Sequence, residues 1–126
     1  MKTFETAAYS MSIHNDTYLE FLGKRHVILN ENDIWQSKEQ AEAYMPGKKF
    51  YVLMGGEQFF QVSKEGREAA ASDKFSTHLN AVALFSNELS LKILGSLYIK
   101  INKPNIPTRF FNDRTKAEQW LRSLMK

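Results

Sequence analysis

The sequence predicts a single α/β domain spanning residues 1–126, a mixed and mostly parallel sheet with helices in the order β-β-α-β-α-β-α-β-α. Three observations predict it. Short runs of β-branched and aromatic residues alternate with segments of helical period. Residues able to cap a helix stand before the helical segments. No repeat, low-complexity tract or interdomain linker interrupts the pattern, and 126 residues suffice for one core without staples.

Residues 7–13 and 18–22 alternate as strands, and His14-Asn15-Asp16-Thr17 between them has the polarity of a hairpin connection. Residues 25–29 form a further short candidate strand. Asn30 offers an N-cap, with Glu31 and Asp33 in the first turn where carboxylates complement the helix dipole. Ile34, Ala41 and Met45 then recur at helical intervals until Pro46-Gly47. Ser37-x-x-Gln40 is a rival capping box, so two starts for this helix stay open.

KFYVLM, residues 49–54, reads as a buried strand stopped by Gly55-Gly56. Gln61-Val62 leads into the alanine-rich helix KEGREAAAS, with Ser63 as its natural cap. LNAVALF, residues 79–85, is the next buried strand. From Ser90 to Ile101 the residues Leu91, Leu94, Tyr98 and Ile101 recur at helical steps, with Ile93 and Leu97 widening the stripe. Pro104 ends this helix and disfavours the right-handed α region at Lys103, while Pro107 pushes Ile106 towards extended geometry. Residues 108–111 follow as a strand. Asn112 is placed to cap a last helix with Ala117, Trp120, Leu121 and Leu124 on one face.

Composition excludes several functions. Without cysteine there is no disulfide, thiol catalysis or cysteine-ligated metal. No apolar run approaches the roughly twenty residues of a membrane span, and the first residues lack a signal-peptide core, so the reading is a soluble, cytoplasmic protein. The net charge of +3 is unevenly spread: residues 1–90 carry 9 basic and 12 acidic side chains, residues 91–126 carry 8 and 2. Such a skew marks either an anionic partner or a solvated helix face.

No Walker loop, G-x-G-x-x-G or G-x-S-x-G is present. His14, His26 and His78 stand in no metal-binding frame, so no metal or other cofactor is expected, and the chain reads as non-enzymatic. Gly55-Gly56 either supplies a turn or lets bare backbone N–H groups approach a phosphate. Phe110 and Phe111, as strand neighbours, should meet opposite layers of the sheet. Phe59-Phe60, after the glycines, could expose one ring to a partner or apolar ligand.

FYVLMGGEQFFQVSKEGREAAAS and the block from residue 79 to 121 resemble a branch of the STAS-like fold, that of bacterial anti-sigma-factor antagonists and their SpoIIAA-like relatives. The specific part is a K-x-N-K-P-x-x-P-T-x-x-F stretch before an A-x-x-W-L helix: Lys100, Asn102, Lys103, Pro104, Pro107, Thr108 and Phe111, then Ala117, Trp120 and Leu121. The resemblance covers residues 8–125. Antagonists of that fold carry a phosphate-accepting serine at the start of the helix after the central strand. Here that position falls nearest Glu65, while Ser63 occupies the cap, so the D-S-x-G-like pattern is not reproduced.

The resemblance implies a non-enzymatic interaction or sensing module of regulatory type, pairing with itself or with a protein partner. The surface expected to carry it comprises Gly55, Gly56, Phe59, Phe60, Ser63, Lys64, Glu65 and Arg67. An alternative, from the likeness in layout to CRAL-TRIO carriers, is a domain for a small apolar, anionic or lipid ligand. Lys100, Lys103, Arg109 and Arg114 form a candidate basic surface. Nucleic-acid binding through it ranks last, because no aromatic stacking platform is interleaved with the cations.

Overall fold

Chain order in the computed structural model, which describes residues 1–14, 18–58 and 60–125, begins with three antiparallel strands, β1 (Lys2–Glu5), β2 (Tyr9–His14) and β3 (Tyr18–Gly23). After β4 (Ile28–Leu29) come α1 (Glu31–Tyr44), β5 (Phe50–Gly56), β6 (Gln61–Val62), α2 (Lys64–Ala71), α3 (Asp73–Ser76) and β7 (Leu79–Phe85). Helix α4 (Leu89–Leu97) runs into a π-helical turn (Tyr98–Asn102), followed by β8 (Thr108–Phe111) and α5 (Arg114–Leu124). The main sheet has the order β1-β2-β3-β5-β7-β8, parallel from β3 onward. The mixed, mostly parallel α/β architecture is therefore the expected one.

Strand β1 and helix α3 are additions to the expected order. KTFE alternates, but its outward positions are polar because it lies at the sheet edge and is mostly exposed. The expected strand at residues 25–29 shrinks to β4, a two-residue parallel ladder with β6. That ladder aligns the starts of two helices: Leu29 and Val62 pair one residue before each cap, and the Ser63 amide donates to Leu29 O at 2.8 Å. Beyond His14, the expected hairpin connection at residues 15–17 lies outside the described residues.

Caps decide the helix starts. Asn30 and Asp33 form a reciprocal capping box, each side chain accepting from the other's amide at 3.0 Å. The rival box fails because Ser37 is buried, its hydroxyl donating to Ile34 O. Ser63 caps α2 as expected, accepting from the Gly66 amide. The last helix is capped by Asp113 rather than Asn112: its carboxylate accepts from the Lys116 amide at 2.9 Å, and an ionised acceptor suits the positive helix end.

The sheet is buried on both faces along β5, where Phe50 and Leu53 point opposite ways and are each fully buried. One face, with Tyr9, Met11, Ile13, Leu19, Phe21 and Leu79, packs under the layer that holds α1 and Leu91 of α4. On the other face, Tyr18, Leu53, Ala81 and Ala83 receive Ala117 and Leu121 of α5. Phe110 and Phe111 divide as expected: the Phe110 ring lies against Gly95 of α4, and Phe111 meets Trp120 of α5 at 5.7 Å.

One ion pair pins α5 to the sheet. Arg114 donates to both oxygens of Glu20 on β3, at 2.7 and 2.9 Å, and the Glu20 side chain is only 11% exposed. Glu118 extends the network, accepting from Arg114, Arg122 and the Tyr18 hydroxyl. Hydrogen bonds from Arg114 hold the Glu20 carboxyl below the usual carboxylate range, against the opposing effect of burial. A carboxylate lowered in this way stabilises the fold above its unfolded pKa, near 4.5, and loses that contribution as the pH falls through its folded value. Arg114→Ala should therefore cost about 2 kcal/mol at pH 7 in urea denaturation, and the gap from wild type should narrow at pH 3.

Candidate functional site

An apolar concavity lies between the sheet and its multi-helix face, partly open to solvent, with a volume of ≈140 Å³. Its floor is apolar and comes from the strands: Met11, Phe21, Val52, Met54, Val82 and Leu84. The helices forming the roof contribute small residues, Ser37 from α1, Ala70 from α2 and Gly95 from α4. Close packing leaves few voids when side chains on facing layers interdigitate. Here Ile34, Phe75 and Leu91 also reach down from the helices, and a space remains between them and the floor.

Glycines shape the ends of the strands beneath. Gly55 and Gly56 do not stop the strand; they are its last two residues, paired with Leu22 and Gly23 of β3. Aromatic rings occupy the space where their side chains would stand. A Cβ on Gly56 would lie 2.4 Å from the Phe60 ring, one on Gly23 2.5 Å from it, and one on Gly55 2.3 Å from the Phe85 ring. The pair is thus part of the β5 strand, with rings packed over its Cβ positions, rather than a phosphate-binding turn. Phe60 is buried, at 6% exposure, and lines the cavity; it is not an exposed docking ring. Phe59 lies outside the described residues.

The expected interaction surface separates into parts. Gly55, Gly56 and Phe60 belong to the packed end of the sheet, and Ser63 is engaged as a cap. Lys64 and Glu65 are exposed on the first turn of α2. Arg67 turns the other way and lines the cavity, where one guanidinium N–H donates to Val62 O at 2.6 Å. The basic surface divides as well. Lys100 and Lys103 are exposed at and after the π-helical turn, Lys103 in the left-handed region with φ 48°. Arg109 is exposed on β8, over the Phe111 ring at 5.2 Å, and Arg114 is committed to Glu20.

Four polar groups meet the apolar cavity besides Ser37: Arg67, His78, Ser86 and Tyr98. The Tyr98 hydroxyl makes no hydrogen bond among the described residues, and burial pushes it up to about 12. His78 shares its Nδ1 with Phe75 O at 2.5 Å, and its ring stands edge-on to Phe75. Burial lowers the His78 pKa, disfavouring the imidazolium. Among the described residues no three His, Asp or Glu side chains come together as a metal would need.

Helix α4 forms part of the roof through Leu91 and Gly95 and shows a second apolar edge to solvent. Leu89, Ile93, Leu97 and Ile101 recur every four residues at 72, 52, 44 and 69% exposure. The sequence pattern placed Ile93, Leu97 and Ile101 on the buried stripe. The helix is apolar around most of its circumference, and the sheet covers only one side, so periodicity alone could not say which edge stays bare.

The family model for a domain of unknown function, DUF7793, matches residues 11–125. The chain belongs to this DUF7793 family. No curated protein matches the sequence. Among solved structures, the DUF7793 chain is similar to an uncharacterized protein of the DUF3478 family from Shewanella loihica PV-4, described as having a SpoIIAA-like fold. Identity is 19%, coverage is 96% of this chain and 98% of that one, and the TM-score is 0.62. At that identity the likeness establishes the fold alone, which is SpoIIAA-like. No helix among the described residues of this DUF7793 domain is long and apolar enough to cross a membrane.

The buried histidine gives the cavity wall a pH dependence. With its folded pKa below the unfolded 6.5, neutral His78 contributes stability above that pH and loses it as the pH falls through and below 6.5. His78→Gln should flatten the decline in melting temperature between pH 7 and 5.

Proposed function

We propose that the domain is a non-enzymatic sensing module that takes a small apolar ligand into the cavity between sheet and helices. The observation that carries this reading is the cavity itself: ≈140 Å³, floored by apolar strand side chains and lined from above by Ile34, Phe75 and Leu91 together with small residues. An apolar cavity of about 150 Å³ is known to stay dry and to accept benzene, so a ring or a chain of about six carbons is the matching scale. The non-enzymatic reading rests on the character of the polar groups there. Of the lining hydroxyls, Ser37 donates to Ile34 O and Ser86 accepts from the Glu88 amide, so neither is paired with a side-chain base of the kind covalent catalysis needs.

A second reading is favoured by the bare edge of α4. Four exposed apolar side chains in line, beside the exposed Lys92 and Lys100, form the kind of patch that marks a docking surface. Because α4 also roofs the cavity, a ligand beneath it would alter the seating of the helix that carries this edge. That coupling would suit a regulatory interaction module, the type expected from the fold.

Benzene or 1-hexanol should raise the melting temperature in proportion to the logarithm of its concentration, as binding to the native state alone requires. Ala70→Phe, which fills the cavity, should abolish the shift while keeping a folded circular-dichroism spectrum. Melting that does not respond to any apolar compound of this size would remove the reading.

A further inference from the structure

Resting on the cavity reading, we propose that the ligand is a monocarboxylate whose apolar tail of about six carbons fills the cavity and whose carboxylate is held by Arg67. A guanidinium carries five N–H donors and no acceptor. Among the described residues only one donor of Arg67 is used, by Val62 O, and no carboxylate forms an ion pair with it. The ion-paired arginines among the described residues, Arg114 and Arg122, are matched by Glu20 and Glu118 on the opposite face of the sheet.

A half-buried cation beside an apolar cavity is costly to leave without a counter-charge. The acidic neighbours on its own helix do not supply one: Glu65 and Glu68 are exposed and pair with nothing there. The Tyr98 hydroxyl, also on the cavity wall, is a second donor without a partner among the described residues. Helix α2, which carries Arg67, packs against the π-helical turn that carries Tyr98. Arg67 and Tyr98 thus keep unused donors on the wall of a mostly apolar space whose other polar side chains are engaged: Ser37 donates to Ile34 O, His78 Nδ1 donates to Phe75 O, and Ser86 accepts from the Glu88 amide.

Charge balance selects the head group. One permanent cation lines the cavity, and burial favours the neutral form of His78, so a monoanion is matched and a dianionic phosphate is over-charged. A planar carboxylate also fits the fork of a guanidinium.

Isothermal titration of the full chain at pH 7 with hexanoate, 1-hexanol and hexyl phosphate separates the claims. Hexanoate should bind about tenfold or more tightly than 1-hexanol, the scale of a charge-assisted hydrogen bond. Arg67→Met, checked for an unchanged fold by circular dichroism, should reduce hexanoate to the affinity of the alcohol, and Arg67→Lys should restore part of the difference. In the wild type, which needs no variant to fold, hexanoate affinity should fall as the pH drops below its carboxyl pKa while that of 1-hexanol holds relative to it. Equal binding of acid and alcohol, indifferent to Arg67, would overturn this inference and leave the cavity reading standing. Tighter binding of hexyl phosphate would overturn the choice of a monocarboxylate. Binding of none of the three would overturn both readings.

Discussion

The double-sided burial of β5 is the constraint on which the rest of the structure depends. A parallel strand with apolar side chains on both faces must have a layer above and a layer below. Phe50 and Leu53, facing opposite layers and fully buried, impose that demand within four residues. Helix α5 answers it on one side with Ala117 and Leu121, small and large, and is held at the correct height by the Arg114–Glu20 pair. On the other side several helices share the task, with Ile34 of α1 and Leu91 of α4 buried there. Ser37 and Ala70 bring short side chains to this layer, and the Phe110 ring takes the space beside Gly95. The cavity is the space left between floor and roof.

Its margins are closed more firmly than its centre. Phe60 lies across Gly23 and Gly56, and Phe85 across Gly55, so adjoining strand ends are capped by rings that fit only because no Cβ stands beneath them. Phe110 uses Gly95 in the same way to bring α4 close to the edge strand. Rigid margins around an apolar space favour a pre-formed pocket, because little order remains to be imposed when a ligand enters. The same arrangement leaves α4 held from one side only, with four apolar residues bare on the other. The helix thus connects the interior space to the outer surface.

Much of the fold was legible in the sequence because the signals were local. Residues 79–85 and 108–111 coincide with β7 and β8, and the division of Phe110 from Phe111 follows from strand geometry alone. Asn30 and Ser63 announce their helices, since a cap is a short-range hydrogen bond. What escaped is non-local. Strand β1 is polar outside and needs β2 to become a strand, while Gly55-Gly56 reads as a stop until the covering rings are known. The choice of Asp113 over Asn112 turns on which side chain reaches the Lys116 amide. The candidate site was less legible than the fold. Arg67, Phe60 and the glycines were singled out, but as a surface. That Arg67 and Phe60 line an interior, with Tyr98 and His78 from distant segments, depends on how three helices cross one sheet. No spacing in the chain encodes that arrangement.

The central claim is that the space between sheet and helices is an apolar site able to accept a guest. Diffraction from a crystal of the full chain under xenon pressure tests it most directly, because xenon enters pre-formed apolar cavities and requires no knowledge of the natural ligand. The account predicts a xenon peak above Val52 and Val82, beneath Gly95, that disappears in Ala70→Phe. A well-ordered crystal with no xenon in that space, or with water molecules filling it, would contradict the account.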